Sequence, residues 1–394
     1  MPVEPPTGSK QDVSDGFSPV LRDHLKLALV PGLGPKLTAA LLEHFGSPAA
    51  ALKATYLQLL AIPLIGDKLA RSFSESFRTV DVGPESELLV KHGVRPVVLG
   101  EADYPTRLTT LVGPPGLLYL RGTLTAADAN AVGIVGSRAC TAYGKRIAER
   151  IAAGLARAGW TVISGLARGI DGAAHRGALD AGGRTIAVLA GGLAKIYPPE
   201  HTSLADDVAK QGCLVSETPM TVAPLPGMFP ARNRIISGLS RAVVVVEANV
   251  KSGALITVDH AAEQGREVFV VPGPVDSPAS AGCLELIRKG AKLVRDADDI
   301  LEDLRGIAPP DAAPPRRPAA ANPTPSLFEP PMVPAGLDAV QQKIWDALDG
   351  TPKHADELSR LTGAAISQLT SSLMQLELKK LIRRLPGNQY ERRR

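Results

Sequence analysis

Short apolar runs rich in valine and isoleucine recur between Ala131 and Val271, and each leads into small or polar residues. The runs and their exits are GIVGSR (133–138), VISGLARGID (162–171), IAVLAGGLAK (186–195), VVVVEANVKSGALIT (243–257) and VFVVPG (268–273). A continuous β-branched run of this length is typical of a strand buried on both faces. Between the runs, apolar residues recur at helical spacing, as in Ile147, Ile151 and Leu155. The alternation predicts an α/β fold with a Rossmann-like, mostly parallel sheet.

The predicted topology gathers several residues that suit a phosphate. Right-handed crossovers bring the carboxyl ends of parallel strands to one edge of a sheet, where α/β proteins bind their ligands. Glycine and serine allow a backbone to approach a phosphate closely, and lysine and arginine complement its charge. The residues expected at that edge are Gly136, Ser137, Arg138, Ser164, Gly165, Lys195, Ser252 and Gly253. Together they predict an anion-binding groove.

The segment FPARNRIISGLS (229–240) adds Arg232, Asn233 and Arg234 just before one of the strands. We expect these arginines at a strand–loop junction and not on an exposed helix face, where they can hold a phosphodiester without chemistry on it. Phe229 is a candidate for stacking a base, as aromatic platforms do in single-strand binders. Packing into the core is the alternative for this side chain.

Four titratable residues near the strand ends each have two interpretations. Glu217 and Glu247 could do acid–base work, but orientation of the arginines through charge-assisted hydrogen bonds is favoured. Asp171 and His175, four residues apart, share one helix face. A metal site needs a third ligand that no nearby motif supplies. We therefore expect Asp171 in a first helical turn and His175 bonded to a neighbouring loop, with no catalytic or metal-binding residue.

Two nucleotide-binding patterns are missing from the sequence. The first predicted strand leads into GSRACTAYG and not into G-x-G-x-x-G, and the second ends in Ser164-Gly165 where a dinucleotide fold needs an acid. The phosphate-loop pattern G-x-x-x-x-G-K-S/T is also missing. We therefore expect no cofactor, and the groove favours a polymer backbone as its ligand.

The 394 residues exceed what one hydrophobic core usually holds, which is ~300 at most. Composition and pattern predict a disordered tail at 1–16, a helical domain at 17–85, a Rossmann-like core at 86–305, a Pro/Ala-rich linker at 306–336 and a winged-helix domain at 337–394. The linker is a semi-rigid spacer that has no means of burying a core.

The predicted helical domain carries a weak internal repeat. VPGLGPKLTAALLEHFG (30–46) is echoed by IPLIGDKLARSF (62–73), with Leu64 where the first copy has Gly32. In both copies an apolar residue, a proline and a turn lead into a helix, which is the helix-hairpin-helix pattern whose turn amides hold a DNA phosphate. A compact, SAM-like packing module is an equally good interpretation.

The predicted winged helix has helices at 337–348, 354–361 and 364–378, followed by a hairpin turned at Pro386-Gly387. Its third helix has no basic residue before its end. A role of this domain in binding a protein partner or in positioning a dimer is therefore as well supported as DNA binding through the major groove.

Composition says more about the cellular compartment of the protein than about its ligand. The net charge of +4 is too small to indicate nucleic acid by itself. Cys140, Cys213 and Cys283 lack paired spacing, so we expect small buried side chains in a reducing cytosol. No apolar stretch is long enough to span a bilayer, and we expect a cytoplasmic protein without a membrane partner.

The ordered motifs resemble one known family. GIVGSRACTAYG, VISGLARGIDGAAHRGAL, GGRTIAVLAGGLAKIYPPEH, FPARNRIISGLS, VVVEANVKSGALIT and VVPG are similar to the DNA-processing protein A family (DprA, also called Smf). YPTRL and PPGLLYLRG upstream fit the same family, and the resemblance covers the α/β core. One turn departs from it: after PGP (272–274), where the family usually has Gly-Thr-Asn, this chain has Gly282-Cys283-Leu284.

The resemblance implies a non-enzymatic protein that binds single-stranded DNA. Members of the family bind incoming strands during natural transformation, help to load the RecA recombinase, displace single-strand-binding protein, and act as homodimers through the core. The resemblance implies phosphate contacts for Gly136, Ser137, Arg138, Ser164, Gly165, Lys195, Arg232, Asn233 and Arg234, with Phe229 as the stacking residue. The apolar residues from Ile235 to Leu239 are interpreted as dimer surface.

A nucleotide-processing enzyme of the phosphoribohydrolase type is the alternative function. Such enzymes have a related Rossmann-like core and a pattern P-G-G-x-G-T-x-x-E at the start of a helix. This chain has SGALITVDH (252–260) there, without the glycine triplet and the glutamate.

Overall fold

The computed structural model describes residues 16–305, 337–348, 353–364, 366–378, 381–385 and 389–392. The chain divides into two compact units, Met1–Arg316 and Arg317–Arg394. The predicted linker at 306–336, and the predicted tail apart from its last residue, lie outside the described residues.

The elements of the first unit combine a helical amino-terminal part with an alternating β/α part. In chain order they are α1 (Pro19–Leu29), α2 (Pro35–Phe45), α3 (Pro48–Ala51), α4 (Tyr56–Leu60), α5 (Asp67–Thr79), α6 (Gly83–His92), β1 (Val94–Val98), α7 (Thr106–Thr109), β2 (Leu117–Gly122), β3 (Ala131–Val135), α8 (Ala142–Arg157), β4 (Thr161–Ser164), α9 (Ile170–Asp180), β5 (Thr185–Leu189), α10 (Thr202–Gln211), β6 (Cys213–Ser216), α11 (Met228–Leu239), β7 (Ala242–Val245), α12 (Ala254–Glu263), β8 (Glu267–Val270), α13 (Ala281–Arg288), β9 (Lys292–Leu293) and α14 (Ala297–Leu304).

The strands of this unit form one mixed sheet in the order β1-β2-β6-β5-β4-β3-β7-β8-β9. The seven strands from β6 to β9 in this order are parallel, and β1 and β2 extend the β6 edge in antiparallel pairing. The predicted Rossmann-like, mostly parallel sheet is confirmed. The chain builds outward from β3 to β6 and then returns to the other side of β3 as β7, so a crevice opens at the carboxyl ends where the order reverses.

Helices cover both faces of the sheet, which explains why its strands are apolar throughout. On one face α8, α9 and α14 pack against the strands, with Ile151, Leu155 and Ile300 in the core. On the other face α7, α11, α12 and α13 do so, with Ile236 and Val258 among the buried residues. An alternating pattern would have placed polar side chains under one of these layers.

The segment 229–240 forms helix α11 and not the predicted strand–loop junction. Ile235, Ile236 and Leu239 share one helix face and are only 1%, 1% and 6% exposed, packed into the core. Burial of this face holds the helix against the sheet, and its interpretation as a dimer surface is wrong.

The helical part contains two turns of the same geometry, as the internal repeat predicts. Gly32 and Leu64, at equivalent positions, have φ angles of +79° and +77°. Each turn has the same hydrogen bonds, from Leu33 N to Val30 O and from Ile65 N to Ile62 O, both at 3.1 Å. The two copies share one core with the side chains of α5.

The helical part and the sheet are joined by burial. Leu25 of α1 and Leu89 of α6 lie in the same apolar cluster as Leu117 and Tyr119 of β2. This contact covers the antiparallel edge of the sheet.

The second unit contains α15 (Ala339–Ala347), β10 (Lys353–His354), α16 (Ala355–Thr362), α17 (Ile366–Leu378), β11 (Ile382–Leu385) and β12 (Gln389–Arg392). Its antiparallel strands are ordered β10-β12-β11, and Ile344, Leu358, Leu373 and Ile382 pack into one core. This is the predicted winged helix. The predicted turn at Pro386-Gly387 lies outside the described residues.

None of the helices among the described residues is both long and apolar enough to cross a membrane.

Substitutions in the two repeat turns are expected to have opposite effects on the free energy of unfolding. A left-handed φ costs a residue other than glycine about 1–2 kcal/mol, so Gly32→Ala is expected to lower the free energy of unfolding by about that amount. Leu64 is 74% exposed and loses little burial on substitution, so Leu64→Gly is expected to raise it. Urea denaturation of the full chain measures both. A loss of stability in Leu64→Gly would contradict the strain assigned to that turn.

Candidate functional site

The carboxyl edge of the parallel strands opens into a groove of about 700 Å³. Among the predicted residues, those that line this groove are Gly136, Ser137, Arg138, Phe229, Arg232, Asn233, Ser252 and Gly253. Gly165 and Lys195 line an adjoining recess, which shares Arg138 and Phe229 with the groove. Ser164 and Arg234 line neither, so the topology argument gathered most of the predicted set but not all of it.

The Gly136–Arg138 turn is fixed by the loop that follows β7. Ser137 N donates to the backbone oxygen of Glu247 at 2.7 Å. A Cβ on Gly136 would lie 2.6 Å from Ile170 Cγ1 and 2.9 Å from the same Glu247 oxygen, so only glycine fits this close approach. The turn therefore presents its backbone to the groove at the point where the strand order reverses.

The buried side chain of Glu247 supports the same loop. Its carboxylate accepts hydrogen bonds at 2.8 Å from Thr141 N and at 2.5 Å from Thr141 Oγ1, at the amino terminus of α8. Gly144 leaves room for it, because a Cβ there would lie 2.4 Å from the carboxylate. The expectation that Glu247 orients the arginines is wrong: its partner is a threonine in the turn region.

Arg138 is the exposed cation of the groove. Its guanidinium lies over the ring of Phe229, with 4.6 Å between Cζ and the ring centroid. The ring of Tyr197 lies 6.0 Å from that of Phe229 at a tilt of 57°. A charged group over an aromatic face keeps its hydrogen-bond donors available while the contact holds it in place. This part of the groove therefore offers a positive charge beside an aromatic surface.

Arg232 lies beneath the groove floor and is only 6% exposed. Its Nη1 donates to Gly165 O at 2.7 Å and also to Val188 O, which joins the ends of β4 and β5. Burial lowers the pKa of Arg232 to about 10, and nearby Arg138 adds to this, while Asp171 opposes it. The guanidinium is engaged with the sheet edge, so the structure gives Arg232 a supporting position and not that of an exposed phosphate ligand.

Ser164 is likewise directed into the fold. It is fully buried, and its Oγ donates to Ile134 O at 2.7 Å, between neighbouring strands. Successive side chains of a strand point to opposite faces of the sheet, and helices cover both faces here. The predicted phosphate contact of Ser164 therefore has no exposed hydroxyl to make it.

Arg234 is paired as predicted. Its Nη2 lies 2.8 and 2.6 Å from the two carboxylate oxygens of Glu217, and its Nη1 donates to Gly113 O at 3.1 Å. The prediction that Glu217 orients an arginine of the RNR segment is confirmed. The pair ties α11 to the end of β6, and the bond to Gly113 ties it to the loop before β2, away from the groove lining.

The remaining predicted residues lie at the groove rim. Lys195 is exposed, and Asn233 Nδ2 donates to Gly253 O at 3.3 Å. Ser252 Oγ accepts from Ala254 N at 3.3 Å, just before α12. These contacts hold the α11 and α12 helices together beside the groove.

Sequence reasoning missed Arg168, which lines the recess beside Lys195. It lies in the loop after β4 and forms an exposed ion pair with Glu200 across the recess. Its place in VISGLARGID, four residues after the strand, is the same kind of signal that identified Gly165, so the residue was recognisable from the sequence.

The departing segment Gly282-Cys283-Leu284 lies in the first turn of helix α13 and not in a separate turn, and it packs against the loop after β7. Gly282 N donates to Ala248 O at 2.8 Å, and a Cβ on Gly282 would lie 2.7 Å from Asn249 O. Cys283 is buried in the core, as is Cys213, whereas Cys140 is half-buried. The glycine keeps a close backbone contact, while the next residue supplies packing.

Asp171 has the structural role that was favoured, whereas the predicted loop partner of His175 is wrong. Asp171, in the first turn of α9, accepts hydrogen bonds from Gly165 N at 3.2 Å and Ala167 N at 3.3 Å. Burial raises the pKa of Asp171 although Arg232 opposes the shift. His175 is fully buried, and its Nδ1 lies 2.7 Å from Thr185 Oγ1, a strand residue and not the expected loop. Among the described residues no cluster of His, Cys, Asp and Glu is arranged to hold a metal ion.

The burial of His175 predicts a pH dependence of stability. Burial lowers the pKa of His175 to about 3, against 6.5 when unfolded. The unfolded state therefore binds one more proton below pH 6.5, and stability falls as the pH drops from 6.5 towards 3. The slope from this residue is about 1.4 kcal/mol per pH unit at most.

Replacement of the imidazole is expected to remove that slope. In His175→Gln, urea denaturation between pH 6 and pH 4 is expected to show a weaker fall in stability than in the wild type, whatever the stability at pH 7. An identical slope in the two proteins would contradict the assignment of a neutral buried histidine.

Comparison with known proteins agrees with the fold. The sequence model of the DNA recombination-mediator protein A family matches residues 95–305, and that of the DprA winged helix domain matches residues 328–388. The protein Smf of Synechocystis sp. is 35% identical over 92% of this chain and 96% of its own length. The DNA processing protein DprA of Bacillus subtilis is 45% identical over 54% of this chain and 72% of its own length.

A solved structure shows the same architecture. The X-ray structure of DNA processing protein A from Streptococcus pneumoniae has a TM-score of 0.62 and 36% identity, covering 71% of this chain and 95% of that chain. The chain therefore belongs to the DNA recombination-mediator protein A family, DprA or Smf, and has a role in DNA processing and recombination.

Proposed function

We propose that this protein binds single-stranded DNA in the groove at the carboxyl edge of its sheet. The observation that carries the proposal is the exposed guanidinium of Arg138 over the ring of Phe229, beside the backbone of a glycine turn. A nucleic-acid strand presents a phosphate and a base within one nucleotide, and this groove offers a cation and an aromatic surface side by side.

The residues of the groove divide into contacting and supporting groups. Arg138, Lys195, the backbone of Gly136 and the hydroxyl of Ser137 contact phosphates in this proposal, and Phe229 stacks a base. The supporting residues are Ser164, Gly165, Arg232, Asn233, Arg234, Ser252 and Gly253, which hold the loops in place through the hydrogen bonds and close contacts described above. A preorganised backbone binds with a smaller loss of conformational entropy than a mobile loop does.

Single strands are favoured over duplex because stacking on Phe229 requires an unpaired base. The ring is half-buried and in contact with Arg138 on one side and near Tyr197 on another. A paired base within a duplex has both faces covered by its neighbours and cannot reach such a surface without unstacking.

The protein acts without catalysis in this proposal, as a recombination mediator. It holds incoming single strands during natural transformation, helps to load RecA onto them, displaces single-strand-binding protein and works as a homodimer in the cytoplasm. Membership of the recombination-mediator family supports this role. The carboxylates next to the groove support it too, since Asp171 is bonded to two amides and Glu247 to Thr141. Release of free base from nucleoside monophosphates by the purified protein would instead favour the phosphoribohydrolase alternative.

Removal of the groove cation is expected to weaken binding. Arg138→Ala should lower the affinity for a short single-stranded oligonucleotide by ~10-fold or more, because a hydrogen bond to a charged group contributes about 1.5–3 kcal/mol. The slope of log affinity against log salt should fall by about 0.7, the value for one phosphate on a single strand. Fluorescence anisotropy over a series of salt concentrations measures both.

The matched control is Arg95→Ala. Arg95 lies on edge strand β1 in an exposed ion pair with Asp103, so this substitution removes the same charge from a surface without the groove. Equal affinities for wild type and Arg138→Ala, with both proteins folded, would refute the site.

The stacking role of Phe229 predicts a different pattern. Phe229→Leu keeps an apolar side chain but removes the aromatic face, and stacking contributes about 1–3 kcal/mol per base. Affinity for single strands should therefore fall by ~5-fold or more while the salt slope stays unchanged, and Phe229→Tyr should retain most of the affinity. A Phe229→Leu protein that binds as well as wild type would assign this ring to packing alone.

A further inference from the structure

Three arginines converge at the amino-terminal edge of the sheet, opposite the groove. Arg241 immediately precedes β7 and Arg266 immediately precedes β8, while Arg107 lies on α7. The strands β3, β7 and β8 are neighbours in the sheet, so their starting points lie side by side. The amino-terminal and carboxyl ends of parallel strands lie at opposite edges of the sheet, one strand length apart. This cluster is therefore distinct from the groove described above.

Two of the guanidinium groups share one acceptor. The Nε atoms of Arg107 and Arg241 donate to the same oxygen, that of Ala129, at 3.3 and 3.0 Å. Arg266 Nη2 donates to Gly238 O at 3.4 Å, near the end of α11, and its Nε is buried without a hydrogen-bond partner among the described residues. Two guanidinium groups that bond one oxygen lie within a few ångströms of each other.

The positive charges act on one another. Burial lowers the pKa of Arg107 to about 10, and the charges of Arg241 and Arg266 add to this shift. Burial also lowers the pKa of Arg241, with a further contribution from Arg266. Mutual repulsion among half-buried cations is unfavourable unless an anion is bound between them.

A purely structural role accounts for only part of the arrangement. The carbonyl oxygen of Ala129 has two lone pairs and accepts from both arginines, but the terminal nitrogens of Arg107 bond no acceptor within the described residues. Arg184, at the same end of the sheet, shows the contrast. It bonds both carboxylate oxygens of Asp128 and two backbone oxygens, so its charge is neutralised and its donors are used.

We propose that Arg107, Arg241 and Arg266 form a second anion site, which binds a phosphate group. A phosphate carries several oxygens and up to two negative charges, so it can accept hydrogen bonds from more than one guanidinium at once. A carboxylate has only two oxygens and one charge, and it is less well suited to this. The phosphate belongs to a nucleic-acid strand or is free in solution, and the experiment distinguishes these sources. The site is independent of the proposed groove.

The first measurement is the effect of inorganic phosphate on thermal unfolding. The background is Arg138→Ala, which removes the groove cation, and phosphate is compared with chloride at equal ionic strength. Phosphate should raise Tm in this background by a few degrees, and the rise should disappear when Arg107→Gln or Arg241→Gln is added. In chloride at low salt, Arg107→Gln should leave Tm unchanged or raise it, because repulsion is relieved.

A structural role gives the opposite result. If the arginines only cap backbone oxygens, the substitutions lower Tm equally in phosphate and chloride, and the proposal fails. The control substitution Arg95→Gln removes an arginine that has its own carboxylate partner and should leave the phosphate effect intact. A larger rise in Tm with a polyglutamate peptide than with phosphate would also overturn the proposal, because it would indicate an acidic protein partner.

The second measurement identifies the source of the phosphate. Residual binding of a single-stranded oligonucleotide by Arg138→Ala protein should fall several-fold on addition of Arg107→Gln, with a further loss of about 0.7 in the salt slope. This result assigns the site to a nucleic-acid strand. Unchanged oligonucleotide binding together with loss of the phosphate effect assigns it to free phosphate. If the groove proposal fails, the Arg138→Ala protein alone will bind the oligonucleotide as well as wild type does. Both results for the second site can still be interpreted in that case.

Discussion

The arrangement of the groove depends on the hydrogen bonds that the buried guanidinium of Arg232 donates. It joins the backbone oxygens of Gly165 and Val188 at the ends of two neighbouring strands, and Asp171 beside it accepts from the amides of the loop after β4. Gly165 allows this approach, since a Cβ there would lie 2.3 Å from the guanidinium. Because Arg232 anchors α11, the side chain of Phe229 one turn earlier is held against Arg138.

This anchoring explains why charge is distributed unevenly around the sheet edge. Arginines that support the fold have acceptors of their own: Arg232 has two backbone oxygens and Arg234 has the carboxylate of Glu217. The guanidinium of Arg138 lies over an aromatic ring and stays exposed. An arginine that bonds acceptors of the fold holds loops in place, whereas an exposed one can bind a ligand.

Much of this architecture could be predicted because buried parallel strands are continuous apolar runs, and right-handed crossovers bring their ends together. The Gly136–Arg138 turn and the repeat turns at Gly32 and Leu64 were recognisable from local sequence alone. The helical state of the RNR segment was not, because the burial of Ile235 and Leu239 against the sheet decides it. The partner of Glu247 was also out of reach, since Thr141 is brought to it only by the pairing of β3 with β7.

The sequence by itself therefore determined the fold class, the winged helix and the edge of the sheet where the groove lies, because each follows from periodicity or from residues that are close in the chain. Only the tertiary structure decided which basic residues are exposed and which are buried. The side-chain directions of Ser164, Arg232 and Arg138 depend on neighbours from other strands and helices. Arg107, Arg241 and Arg266, far apart in the sequence, meet only because the strands that follow two of them lie side by side in the folded sheet.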